Sequence, residues 1–100
     1  MKKETLLRGA TSPNQESACL YVRHDTLFTV AADLVIRRRD GSILMRKEID
    51  RYQDAVEDIE LTFPALTYSN GAFCLFVSRG TNDSVIEFPL TKAKLDSGDN

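Results

Sequence analysis

The chain has no tryptophan, a single histidine and only two cysteines in 100 residues. Cys19 and Cys74 are too few for a disulfide scaffold, and no C-x-x-C pair offers a zinc or redox motif. One histidine with two distant cysteines falls short of the three or four ligands a zinc site needs. A catalytic histidine also needs a partnered acid or nucleophile. Asp25, beside His24, would point to the other face of a strand, so His24 reads as a turn residue in water. The five glycines are isolated turn residues, which excludes a phosphate loop and a dinucleotide fingerprint, and no serine sits in a G-x-S-x-G elbow. The expectation is a protein that is not an enzyme and carries no cofactor or metal.

Long apolar runs are also missing. Nothing approaches the roughly 18 residues that cross a bilayer as a helix. The opening MKKETLLRGATSPNQES carries lysines without an apolar h-region, so it does not read as a secretory signal. The expected location is a virion or the host cytoplasm. Nor is there the basic excess of a general nucleic-acid binder, because the formal net charge is −2.

What is present is alternation. With 42% hydrophobic and 28% charged residues, the chain has apolar material for one core and one domain. The stretch TLFTVAADLVIRRRDGSILMRKEI, residues 26–49, reads as two strands joined at Asp40-Gly41. Apolar residues occupy the even positions Phe28, Val30, Ala32, Leu34 and Ile36, while Thr29, Asp33, Arg37 and Arg39 face outward, as in a half-buried strand. A two-residue turn sets Arg39 opposite Ser42, Ile36 opposite Met45, Leu34 opposite Lys47 and Ala32 opposite Ile49. On the outer face it sets Asp33 against Glu48, an unfavourable like-charge pair that a bulge would relieve.

Residues 18–23 (ACLYVR) read as a further strand. Downstream, Ile59, Leu61 and Phe63 alternate up to Pro64, Phe73, Leu75 and Val77 follow the turn Tyr68-Ser69-Asn70-Gly71, and Ile86, Phe88 and Leu90 follow a turn over residues 80–84. Turn signals at roughly 8–12-residue spacing favour a sandwich or barrel. A competing reading puts a helix over residues 47–60, because Ile49, Tyr52, Val56, Ile59 and Phe63 also fit helical spacing; the fold would then be α+β. The expected organisation is an extended arm over residues 1–17, a β-sandwich domain over 18–91 and a polar tail over 92–100.

The run LTFPALTYSNGAFCLFV, with SVIEFPL after the next turn, resembles the end of an immunoglobulin or fibronectin type III module. There a strand ends in a proline-containing connection, a glycine turn follows and an aromatic begins the next strand. The resemblance covers about a third of the chain and implies a small all-β, Ig-like antiparallel β-sandwich. It departs from the antibody pattern, with no tryptophan and with Ala72 rather than tyrosine two residues before Cys74. Strand parity turns Cys19 and Cys74 outward, so free thiols are expected rather than a bridge.

Charge is unevenly placed. Arg37, Arg38, Arg39, Arg46 and Lys47 surround the first turn with only Asp40 against them. Asp54, Glu57, Asp58 and Glu60 form an acidic segment with no base. Both signs on a solvated surface are ordinary; the sharper reading is a docking surface, on which opposite patches meet a partner or a second subunit. Those nine residues are the candidate partner-binding positions. The expected function is a structural or interaction module, in concrete form a bacteriophage virion component such as a capsid decoration or tail accessory protein. It would sit in an oligomeric assembly with neighbouring capsid or tail subunits. The alternative is a small inhibitor or immunity-type protein that blocks a host enzyme with the acidic segment.

Overall fold

Small and branched apolar residues on both faces of residues 30–36 make one strand the centre of the molecule. In the computed structural model, which describes residues 4–24, 26, 28–53 and 59–90, β1 (Glu4–Thr11), β2 (Ser17–His24), β3 (Thr29–Arg37) and β4 (Ile43–Gln53) form one antiparallel sheet in that order. After a single helical turn, α1 (Ile59–Thr62), β5 (Ala65–Ser69), β6 (Ala72–Arg79) and β7 (Asn82–Pro89) form a second antiparallel sheet. Leu20 and Leu34 from the first sheet share a core with Leu66, Phe73, Leu75, Val77 and Phe88 from the second, in the manner of a small β-sandwich. Fully burying a side chain such as Phe63, Phe73 or Leu34 contributes about 1.5–3 kcal/mol each. The strands of each sheet follow one another in sequence, so both sheets are meanders. The Greek-key crossings that mark the immunoglobulin plan do not occur among the described strands.

The hairpin expected at Asp40-Gly41 forms, with a different turn. Gly41 N–H donates to Arg38 O at 2.9 Å and Arg38 N–H to Ser42 O at 2.8 Å, and only Gly41 has positive φ (91°). This is a three-residue loop with glycine in the left-handed position, so Arg38 rather than Arg39 stands opposite Ser42. A bulge at Leu44 then restores the expected register: Ile36 opposite Met45, Leu34 opposite Lys47 and Asp33 opposite Glu48. A second bulge at Ile49 shifts the pairing again, and Ala32 meets Asp50 instead of Ile49. The next hairpin is tighter. Asn70 and Gly71 both have positive φ (51° and 81°), as a two-residue type I′ turn demands.

Three expectations are corrected. Glu4–Thr11 is not an arm outside the domain but the first strand of the sheet, paired along β2. A bulge at Leu7 breaks its alternation, so Leu7 and Ala10, three residues apart, both pack on the core. The helix weighed over residues 47–60 does not form over residues 47–53, which continue β4 to Gln53, and residues 54–58 lie outside the described residues. Nor is residues 59–63 a strand. Ile59 and Phe63 are buried one helical turn apart, Phe63 N–H donates to Ile59 O at 3.2 Å, and Leu61 between them is 71% exposed. Phe28, the first of the expected core positions, is exposed and precedes β3. The tail over residues 92–100 lies outside the described residues.

Candidate interaction surface

The strand β3 was expected to bury one face, yet it buries both. Ala31, Asp33 and Val35 lie on the face away from the core and are sealed, Asp33 being only 3% exposed. A carboxylate at that depth requires partners. Arg23, from β2, donates through Nε to Asp33 Oδ2 at 2.8 Å and reaches Glu48 Oε1 through Nη2 at 3.2 Å. Arg46, from β4, reaches Asp33 Oδ2 at 3.3 Å and Glu4 Oε2 at 2.6 Å. Arg51 closes the row on Glu48 Oε1 at 2.7 Å. The like-charge pair of Asp33 and Glu48 is therefore relieved by a guanidinium shared between them. The bulge at Ile49 lies beside that pair and does not separate it. Three arginines and three carboxylates form this ladder across four strands, and its charges balance.

That ladder removes Arg46 from the cationic group read in the sequence. What remains at the hairpin is different in kind. Arg37, Arg39 and Lys47 have no ion-pair partner among the described residues, whereas Arg23, Arg46, Arg51 and Arg79 are all paired with carboxylates. Arg38 is exposed, not turned inward, and its guanidinium donates to Ser42 Oγ at 3.3 Å and Ile43 O at 3.4 Å, which stiffens the loop. Asp40, the single acid there, is occupied locally. Ser42 donates to its Oδ1 from both the hydroxyl (2.6 Å) and the backbone N–H (2.9 Å), which holds the carboxyl below its ordinary pKa. Lys47 stands in register with Leu34, on the core-facing side of β4, yet it is exposed at the sheet edge. Ile43, half exposed, lies opposite Arg37. The surface is thus cationic with one apolar side chain, on a hairpin fixed by its own hydrogen bonds.

The acidic half of the expected surface falls on residues that are not described. Asp54, Glu57 and Asp58, and the side chain of Glu60, lie outside what is described. Gln53, the residue before them, ends an 11-residue strand, roughly 33 Å from the hairpin end at about 3.3 Å per residue.

A second cluster ties the sheets together. Arg79, at the end of β6, pairs with Asp50 of β4. Burial raises the Asp50 carboxyl, but the hydrogen bonds from Arg79 and the Arg51 N–H outweigh it, and the net pKa lies below 3.8. Burial, with the charge and hydrogen bond of Asp50, pushes the Tyr52 phenol up. Cys19 and Cys74 are free thiols on different sheets. Among the described residues no three His, Cys, Asp or Glu side chains come together as metal ligands. Among the described residues no helix is long and apolar enough to cross a membrane. Sequence reasoning found the hairpin cations but missed Arg23, whose role depends on partners 10 and 25 residues away. No family model matches this chain, and no curated protein or solved structure is significantly similar to it.

Proposed function

We propose that the chain is a non-enzymatic interaction module that docks on an acidic surface of a protein partner through the cationic end of its β3–β4 hairpin. One observation supports this above the others: among the described residues Arg37, Arg39 and Lys47 have no ion-pair partner, beside Arg23, Arg46 and Arg51 of the same sheet, which are paired with carboxylates. Unpaired cations held at the end of a hairpin retain their hydration and their field, so they steer association and lose little entropy on docking. Guanidinium groups suit carboxylate partners by their forked geometry. In its concrete form, carried over from the sequence, the chain is a bacteriophage virion component and the acidic partner is a neighbouring capsid or tail subunit.

The test is co-purification from the native source with mass spectrometry, for the wild type and for the Arg37→Glu/Arg39→Glu/Lys47→Glu variant. An acidic partner held by the wild type, released by about 0.5 M salt and absent from the folded variant is the expected result. A partner retained by the variant would remove the hairpin from the interface. Recovery of one host enzyme in place of coat or tail subunits would favour the inhibitor reading.

A further inference from the structure

The two outer edges of the sandwich are not equivalent. The edge at β4 is defended by two bulges and by Lys47 at an inward register position, devices that prevent another strand from adding there. The edge strand β5 lies against β1. Among the described residues, the edge at β7 has none of these protections. Its pairing with β6 runs without a register shift from Asn82 to Pro89, it contains no lysine, and its one proline is the last residue.

Its hydrogen-bonding direction follows from the register. Leu90 N–H donates to Gly71 O at 2.9 Å, so in this antiparallel pair the bonded positions of β7 are the even ones. The backbone groups of Asp83, Val85 and Glu87 therefore point to the open edge, and Pro89, which lacks an N–H, falls at the same parity. The side chains of those three residues project from the outer face in the order acid, apolar, acid. Val85 is 46% exposed and lies opposite Phe76, itself 38% exposed, and both line a shallow concavity of about 340 Å³ that Pro64 closes on one side.

We infer that β7 accepts an extended segment of another protein as a fourth strand, with an apolar residue opposite Val85 and a lysine or arginine two residues to either side. Main-chain bonds to residues 83, 85 and 87 supply the affinity, the shelf of Phe76 and Val85 takes the apolar side chain, and Asp83 and Glu87 select the cations. A second copy of this chain is disfavoured. Antiparallel pairing of β7 with itself about Val85 sets Asp83 against Glu87 of the partner copy, acid against acid. This surface is separate from the hairpin and opposite to it in charge.

The probe is a capped peptide, TSKTVTKST, titrated into the ¹⁵N-labelled full chain and followed by amide shifts. Binding with shifts centred on residues 83–87 is expected. The acidic analogue TSETVTEST should not bind, and Asp83→Lys/Glu87→Lys should weaken the cationic peptide by about tenfold or more. N-methylation of the peptide at the central valine and both lysines should abolish binding, a change that leaves the protein untouched. No binding at millimolar peptide, shifts on another surface, or equal binding of the N-methylated peptide overturns the proposal. So does concentration-dependent dimerisation that the β7 substitutions abolish, which would make a second copy the occupant.

Discussion

Replacing Arg23 by methionine tests the charge ladder most directly. Arg23 holds Asp33 at 2.8 Å and Glu48 at 3.2 Å, and its side chain is 16% exposed, against 4% for Asp33 and 40% for Glu48. Removing one partner from a buried ion pair costs about 3–5 kcal/mol, because the other charge stays buried. Two features lower that figure. Arg46 still reaches Asp33 at 3.3 Å, and Glu48 is exposed enough for water to screen it, so that half is worth under about 1 kcal/mol. A loss of about 2–3 kcal/mol remains. With a urea m-value of about 1–1.5 kcal/mol/M for a chain of this size, the unfolding midpoint should fall by about 2 M at unchanged m. The double variant Arg23→Met/Glu48→Gln separates the causes. If Asp33 and Glu48 repel across the strands once the shared cation is gone, Glu48→Gln should restore about 0.5–1 kcal/mol in the Arg23→Met background and nothing in the wild type. A midpoint shift below about 0.5 M, or an identical effect of Glu48→Gln in both backgrounds, would refute the reasoning.

Two further outcomes follow from the same coordinates. Asp50 has its folded-state pKa depressed below 3.8 by Arg79 and the Arg51 N–H, so its contribution is complete above about pH 5 and is lost as pH falls through 3.8 toward the folded value. Stability measured by urea between pH 5 and 2 should therefore fall less steeply in Arg79→Met than in wild type; parallel curves would deny the link between the sheets. In and just after α1, Phe63→Ala should cost about 3–5 kcal/mol and Leu61→Ala less than about 0.5 kcal/mol, since Phe63 is fully buried and Leu61 is 71% exposed. Comparable losses at both sites, read as shifts of the urea midpoint, would return the segment to an alternating strand.

The sequence was most legible where one period met one turn signal. Residues 33–36 pair with 45–48 as alternation requires, because a slip of one residue would turn Leu34 and Ile36 away from the shared core. Even there the turn was misread, and the Leu44 bulge offset the extra loop residue. Legibility failed where a bulge broke the period, as at Leu7, and where both periods fitted, as at Ile59, Leu61 and Phe63. The candidate surface was visible as a concentration of cations, but which cations were free was not.

Alternation and the glycine turns determined from the sequence alone that this is a small chain of antiparallel strands with outward thiols. Only the tertiary structure decided that, among the described residues, Arg46 is neutralised while Arg37, Arg39 and Lys47 are not, that Asp33 is buried under Arg23, and that β7 is the undefended edge. The reason is physical. Periodicity is local and survives in the order of residues, whereas charge pairing and edge exposure depend on which strands become neighbours, and that is fixed only when the sheets form and pack.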